Sequence, residues 1–432
     1  MIIYFSVQNF RSLRDKITLD FRATPNSELA EYYIQEFPDL KLKLLKLAMI
    51  FGKNASGKTN ILRALDFLRN SILQQDTDKS KPTGTEPFAL DKDKNSVFDL
   101  KFVHEDIVYQ YQLTLNQTII VKEHLHYWPK GTKTRVFTRD LQKLLKEAEY
   151  KYNWSGSKAN KTLIENLELT VPNQSVLASL KKYNYSGPMQ QVFSWFQDTL
   201  APIVEPNTSL IPWNLHNFLN STESCEYKDF YVQQLQIADF IISNITVKKE
   251  EVALTDIPLN SALKYLINAI EKDNNKMPET VERIDILLSH KVADGEFILN
   301  LEEESAGTQR FFEFCGFLCW MQQTNKIIPI DEIERAMHED LIEHFIASYL
   351  TYAKKSQLIL TSHNSSILNM KDIIRRDTIW ITDRLENGAT ELSRLTEYPI
   401  KKEHSIANLY RKGLIGGKPD IGSIGSDGSD ES

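Results

Sequence analysis

Cysteine is scarce in this chain: Cys225, Cys315 and Cys319 are the only three in 432 residues. Three thiols build no disulfide framework, and no pair has the CxxC spacing of a zinc site. Cys315 and Cys319 sit four apart in FFEFCGFLCWM, so they share one face of a very apolar helix and read as core. Glycine and proline are sparse as well. Their 16 and 15 residues make roughly 7% of the chain against a usual ~12%, which excludes collagen-like and low-complexity chains. No apolar run approaches the ~18 residues that span a bilayer. The opening MIIYFSVQNFRS lacks the basic, apolar, small-residue order of a signal peptide. The expected compartment is the cytoplasm, with no membrane partner.

Basic residues are in deficit too, with 51 Lys and Arg against 58 Asp and Glu and a net charge of −7. Four of those acids, Asp420, Asp427, Asp430 and Glu431, lie in a tail without a base, which leaves the body at about −3. That balance suits neither a polyanion mimic nor a broadly basic nucleic-acid binder. What is present, 41% apolar and 25% charged residues, is the composition of a soluble globular protein. A chain this long buries roughly three quarters of its unfolded surface. It forms one large elaborated domain or two to three smaller ones.

Along the chain, IIYFSVQ and KITLDF (Lys16–Phe21) alternate as strands, and LLKLAMIF reads as a buried strand running into a glycine turn. The following TNILRALDFLRNSIL puts Ile61, Leu65, Leu68 and Ile72 on one helical face. Asp76–Pro87 is a loop by its polar, proline and glycine content. From Ser96 to Arg139 the runs VFDLKFV, IVYQYQLTL and TIIVKEHLHYW predict an antiparallel meander. From about 141 to 280 the signals turn helical, and the aromatics there (Tyr183, Tyr185, Trp195, Phe196, Trp213) read as core before base-stacking platforms. RIDILLSHKVADGEFILNLE predicts a hairpin around Asp294-Gly295. Helix and short apolar strand then alternate to about Leu395, the pattern of a parallel α/β sheet. GSIGSDGSDES reads as a flexible tail, and no internal repeat is visible.

The strongest signal is Gly52-Lys53-Asn54-Ala55-Ser56-Gly57-Lys58-Thr59, which fits GxxxxGK[ST] between a buried strand and an amphipathic helix. Its glycines let the backbone curl so that successive N–H groups hold phosphate oxygens, and the helix N-terminus adds its positive end. Lys58 is placed to reach the β- and γ-phosphates, and the Thr59 hydroxyl to ligate magnesium. Lys326-Ile-Ile-Pro-Ile-Asp331-Glu332 is a short apolar strand ending in two acids. Asp331 suits magnesium through water, and Glu332 suits the general base that polarises the attacking water. Upstream, Glu304-Ser305-Ala306-Gly307-Thr308-Gln309 leads into a helix and sets a serine hydroxyl at its N-terminus, a second anion site. Downstream, LILT-Ser362-His363 is another apolar strand, ending in a histidine able to touch a γ-phosphate.

The order and spacing of these four elements resemble the ABC class of P-loop ATPases, and within it the soluble RecF/SMC/OLD branch. FSVQNFRSL, with Asn9, Arg11 and Ser12, is similar to that branch's "xNFRS" opening, whose arginine approaches the nucleotide. Asn54 is the branch's typical P-loop residue. ESAGTQR stands where the family carries an SGGQ-like signature, with Ala306 and Thr308 as departures. DEIERAMHEDL resembles Walker B plus D-loop, with His338 near the usual D-loop aspartate and Glu339 in place of the common proline. Pro329 inside the Walker B strand is a further departure, because proline is unwelcome in a central strand. The Q-loop glutamine has three candidates, Gln110, Gln112 and Gln117. IIRRDTIWITDRLENGATELSRLTEY with LYRKGLIGGKPDIG resembles the ending of the predicted ATPases of abortive-infection and other antiphage systems, the AbiL/RloA-like group.

The resemblance implies an α/β fold, an ABC-type ATPase head in which a parallel P-loop sheet joins the antiparallel β-meander, with a mainly helical insertion. The expected parts are an N-terminal head segment at 1–140, the insertion at 141–280, a C-terminal head segment at 281–412 and a flexible acidic tail at 413–432. It implies ATP and Mg2+ as ligands, with Asn9, Arg11, Gly52, Asn54, Ala55, Ser56, Gly57, Lys58, Thr59 and Asn60 on the nucleotide. Thr59 and Asp331 fall on the metal, and Glu332 and His363 on catalysis. Ser305, Gly307 and Gln309 are expected to act in trans, closing the site of another copy in an ATP-sandwiched homodimer or higher homo-oligomer. The implied job is a regulatory ATPase of an antiphage system that controls a separate effector protein, such as a nuclease, from a neighbouring gene. With 69 residues after His363, the chain is expected to carry no nuclease of its own, unlike OLD proteins with their Toprim nuclease. The alternative is a RecF-like repair ATPase, which leaves nucleic acid open as a partner.

Overall fold

The computed structural model describes residues 1–75, 78–144, 148–155, 161–183, 185–208, 224–253, 280–370, 373–401 and 404–416. They fall into two compact units. The first comprises Met1–Thr208, Trp320–Arg335 and Ile342–Ser432; the second comprises Ser209–Cys319 and Ala336–Leu341.

The first unit opens on strands β1 (Ile2–Gln8) and β2 (Ile17–Asp20), followed by the hairpin β3 (Ile34–Phe37) and β4 (Leu42–Leu45). The apolar run expected as one strand is broken at Lys46, so β5 (Leu47–Gly52) starts separately. Lys46 is buried and donates to the Ala353 carbonyl at 2.9 Å, and burial lowers its pKa. Helix α1 (Lys58–Leu73) follows, with Ile61, Leu65, Leu68 and Ile72 all buried. Each such side chain contributes roughly 1.5–3 kcal/mol by leaving water. Strands β6 (Ser96–His104), β7 (Ile107–Leu115), β8 (Ile120–Trp128), β9 (Thr134–Leu144) and β10 (Ala148–Trp154) then meander. With β1 and β2 they form one seven-stranded antiparallel sheet, β10-β9-β8-β7-β6-β1-β2. Alternation makes its inner face: Phe98, Leu100 and Phe102 on β6 meet Tyr109, Tyr111 and Leu113 on β7 in one core with α1.

The stretch expected to be a helical insertion differs in two ways. It holds strand as well as helix: β10 pairs with β9, and β11 (Ile242–Ala253) pairs along its length with β12 (Thr280–Val292). Long-range partners decide here, since residues 242–253 find their cross-strand neighbours, Lys248 opposite Asp285 among them, beyond residue 279. The boundary at 141 also falls inside the first unit. Residues 161–200 form short helices whose Leu163, Leu167, Val176, Met189, Val192, Trp195 and Phe196 join the same core as the meander. Trp195 stacks on Phe102 with ring centroids 3.9 Å apart, and Tyr183 and Tyr185 pack against that core. Trp213 lies outside the described residues, as does the tail from residue 417. Glu123 on β8 is fully buried; it accepts from Tyr111 and from the Val176 N–H at the head of a short helix, and faces Arg139 at 3.7 Å. Burial raises its pKa, and those partners oppose the rise.

The parallel sheet is built by β14 (Ile327–Ile330), β15 (Gln357–Ser362), β5, β16 (Ile379–Arg384) and the antiparallel β17 (Thr390–Arg394), in the order β14-β15-β5-β16-β17. Pro329 is tolerated because β14 is an edge strand. The carbonyls of Ile327 and Pro329 accept from Ala201 and Val204, and Asp331 N–H donates to Val204. Pro329 therefore turns its missing donor toward the irregular 201–204 segment, not toward β15.

In the second unit β11-β12-β13 (β13, Gly295–Asn300) form a three-stranded sheet, and the expected hairpin turns at Ala293-Asp294, with Val292 opposite Gly295. Helix α2 (Ala306–Gln323) carries Cys315 and Cys319 as buried free thiols, their pKa raised by burial. Helix α3 (Glu339–Tyr352) follows β14. Because Trp195 is core, Trp195→Ala is expected to destabilise the protein by about 3–5 kcal/mol. Urea unfolding followed by circular dichroism measures it, and a loss under about 1 kcal/mol would contradict the packing described here.

Candidate functional site

Strand β5 ends at Gly52 and α1 starts at Lys58, so residues 53–57 form the connecting loop. Its two glycines are required by their neighbours. A Cβ on Gly52 would run into Thr382 of β16 and the Ser56 hydroxyl. Gly57 has φ 103°, and a Cβ there would overlap Thr390 of β17 and Ser12. Ala55 also takes a positive φ of 61°. The N–H groups of Asn54, Ala55, Gly57, Lys58 and Thr59 have no protein acceptor among the described residues. They lie at the loop that leads into the positive end of α1, the arrangement in which such groups can hold an anion.

Lys58 is buried, and its Nζ donates to the carbonyls of Gly52 (2.8 Å) and Lys53 (3.1 Å). Burial pulls its pKa down, opposed by the negative charges of Glu334, Asp331 and Glu332. Thr59 Oγ1 donates to the Asp331 carboxylate at 2.9 and 3.1 Å. Asp331, just past the end of β14, also accepts from Thr361 Oγ1 at 2.5 Å. The same Thr361 oxygen accepts from the Glu332 N–H at 2.9 Å, so one hydroxyl on β15 fixes both acids. Glu332 takes φ 49°, a strained value for a residue with a side chain, which bends the chain sharply after the strand. His363, just past β15, meets Glu334 Oε1 with both its backbone N–H and its ring Nδ1, each at 2.7 Å. Parallel registers place these groups at one edge: Ile330 is opposite Leu360, and Ser362 opposite Phe51. Open parallel sheets bind ligands there, at the carboxyl ends of their strands.

Other expected residues are spread around this edge. Ser56 Oγ bonds Thr382 Oγ1 at 2.7 Å, and the Asn60 amide donates to Ser12 Oγ at 2.7 Å. Asn54 and Ala55 are exposed at the loop tip. Arg11 pairs with Glu86 at 2.6 Å. The Asn9 amide donates to the carbonyls of Asp91 and Lys94 and accepts from Phe88 N–H. The amide thus pins the 88–95 turn, a structural part. In the second unit Ser305 is exposed and caps α2, accepting from Thr308 N–H at 3.1 Å. Gly307 lies close to the Ala336 carbonyl, 3.2 Å from where a Cβ would sit. The Gln309 amide donates to the carbonyls of Glu302 and Glu304, and so holds the turn before Ser305.

With this geometry in place, a family model described as "AAA ATPase domain" matches residues 1–368. The chain belongs to this AAA ATPase domain family. It is an ATP-binding ATPase. No curated protein matches it. Among solved structures it is similar to an SMC head bound to the C-winged helix domain of ScpA, at 12% identity over 91% of this chain and 96% of that one, TM-score 0.44. It is also similar to the SMC head domain from Thermotoga maritima, at 12% identity, 91% and 98% coverage and TM-score 0.41. A third is an SMC head domain with an extended coiled coil bound to the C-terminal domain of ScpA derived from Pyrococcus furiosus, at 12% identity, 91% and 95% coverage and TM-score 0.37. Among the described residues no helix is long and apolar enough to cross a membrane.

Sequence reasoning missed two residues of this family member's site. Thr361 stands two positions before the Ser-His pair, and Glu334 is the last acid of the DEIE run; both were in view, without a partner to mark them. On the flank of α1 lies a further acid, Glu205. Residues 200–204 run beside β14 through parallel bridges, and Glu205, the next residue, pairs with Arg63 of α1 at 3.0 Å. Gln110 and Gln112, expected candidates for a place near the site, instead donate to Asp99 on the meander, and Gln117 offers its backbone carbonyl to Thr83. Thr361→Val is expected to lower ATP turnover about 10–100-fold, the usual loss when a supporting hydrogen bond behind a ligand is removed. Thr361→Ser is expected to retain most of it. Steady-state phosphate release checks both, and equal rates for Val and Ser would contradict the role of the hydroxyl.

Proposed function

We propose that this ATPase is the regulatory subunit of an antiphage, abortive-infection system, acting as an ATP-sandwiched homodimer or higher homo-oligomer that controls a separate effector protein such as a nuclease. One observation carries the catalytic part. The Thr59 hydroxyl and the Asp331 carboxylate, 272 residues apart in sequence, meet at 2.9 Å where the strands end. Lys58 and the N–H groups of the Gly52–Asn60 loop take the triphosphate, with Arg11 beside it. Thr59 and Asp331 offer the hard oxygen donors that fit Mg2+ and would hold it between them. When bound, the ion neutralises charge on the phosphate oxygens. Glu332 is the general base that accepts the proton of the attacking water, and His363 is the contact to the γ-phosphate.

A second copy contributes Ser305, Gly307 and Gln309 in this reading. Ser305 is exposed at the head of an 18-residue helix, where first-turn N–H groups and the dipole favour an anion. The nucleotide's charge then joins two positive helix ends, so association depends on ATP. The antiphage part rests on the sequence resemblance of the C-terminal third to AbiL/RloA-like ATPases. That stretch is no appendage, because β16 and β17 press Thr382 and Thr390 against the two P-loop glycines.

Glu332→Gln is expected to bind ATP, to lose turnover by at least about a hundredfold, and to accumulate as a dimer in ATP by light scattering. A variant that stays monomeric in ATP would overturn the sandwich. For the partner, co-expression with the adjacent gene product is expected to give a stable complex and toxicity only from the pair. Salt-dependent, ATP-stimulated DNA binding by the chain alone, with no complex, would favour the RecF-like repair reading instead.

A further inference from the structure

Glu334 lies three residues past Asp331, in the turn that follows β14. Its side chain is only 9% exposed. One oxygen, Oε1, accepts a hydrogen bond from the His363 backbone N–H at 2.7 Å and lies 2.7 Å from the ring Nδ1 of the same residue. The other, Oε2, is buried and has no hydrogen-bond partner. Of the three carboxylates whose charge reaches Lys58, Glu334 acts most strongly. A carboxylate withdrawn from water with half of its acceptors unused is expensive. A simple ion pair with His363, whose side chain is 51% exposed, would offset little of that. Holding one residue by backbone and ring together does something an ordinary surface pair does not. It fixes where the strand end lies, which way the imidazole is turned, and which ring nitrogen carries the hydrogen that faces inward.

We infer that Glu334 is a positioning residue, which clamps the backbone N–H and Nδ1 of His363 through a single oxygen so that Nε2 is the ring nitrogen presented to the nucleotide. The inference rests on the γ-phosphate role given to His363 above. It assigns Glu334 no contact with substrate. It also separates the two glutamates of the DEIE run: Glu332 follows the strand directly and is held by Thr361, whereas Glu334 serves through the histidine.

The test is a set of turnover measurements on the full chain, with nucleotide affinity followed separately by a fluorescent ATP analogue. His363→Ala and Glu334→Ala are expected to lower kcat by a similar factor, about 10–100-fold, with analogue affinity within about threefold of the parent. The double variant is expected to be no slower than His363→Ala alone, the non-additivity of residues that act as a unit. Glu334→Gln keeps an acceptor oxygen for both donors and is expected to retain most of kcat. Glu334→Asp keeps the charge, shortens the reach and is expected to lose it, so the Gln and Asp pair decides the matter should Glu334→Ala not fold. Losses that multiply in the double variant, or a Gln variant as impaired as Asp, would overturn the inference. A normal kcat for Glu334→Ala beside an impaired His363→Ala would overturn it while leaving the role of His363 intact. A normal kcat for His363→Ala would overturn that role and the inference with it.

Discussion

The Thr361 hydroxyl stands between the two acids that end β14, donating to Asp331 and accepting from the backbone of Glu332. Its strand, β15, lies between the strand that leads into the P-loop and the strand that carries the acids. The site therefore depends on the registers of three parallel strands agreeing at one edge. A one-residue slip of β14 would carry Asp331 about 3.3 Å along the sheet, beyond hydrogen-bond reach of Thr59. It would also turn the side chains to the opposite face. Burial enforces the register: Ile327, Ile328, Ile330, Leu358, Ile359 and Leu360 are all withdrawn from water, so any slip brings polar ends into the core.

Two features that look like faults follow from the same frame. Pro329 sits in the strand that ends in the acids, yet its lost donor faces the 201–204 segment, so the ladder to β15 stays whole. The two P-loop glycines are close-packed against Thr382 and Thr390. The C-terminal hairpin thereby shapes the loop from behind, and Ser12 joins it by bonding both Thr390 and Asn60. A loop whose form is set by three distant segments is rigid before any ligand arrives, which lowers the entropy lost on binding.

What could be read in the sequence was what local spacing controls. The P-loop, the amphipathic α1, the meander and the acids after IIPI each occupy a few consecutive residues and carry their own periodicity or chemistry. What could not be read depends on partners far along the chain. Residues 242–253 become a strand because β12 lies beside them, and 161–200 join the head because Trp195 finds Phe102. Asn9 shows the same limit in the opposite direction. Its motif is local and recognisable, but the backbone groups that take up its amide lie at 88, 91, 94 and 95. Glu334 and Thr361 carry no motif, and their meaning is a hydrogen bond.

Charge places a last constraint on the site. Lys58 is the buried cation at its centre, with Asp331, Glu332 and Glu334 all near enough to act on it. At an effective dielectric of about 20, a pair of unit charges 4 Å apart interacts by roughly 4 kcal/mol, so three carboxylates around one ammonium leave the strand ends net negative. A triphosphate approaching that edge meets repulsion unless other positive groups outweigh it. The free N–H groups of Asn54, Ala55, Gly57 and Thr59 supply part of that, since they are fixed dipoles needing no reorganisation. The oxygen pair of Thr59 and Asp331 offers the hydroxyl and carboxylate donors that a hard divalent cation takes. With the proposed Mg2+ held there, the acids that repel bare nucleotide would favour the metal-complexed form. Glu334, whose charge acts on Lys58 most strongly of the three, is itself held by the His363 backbone N–H.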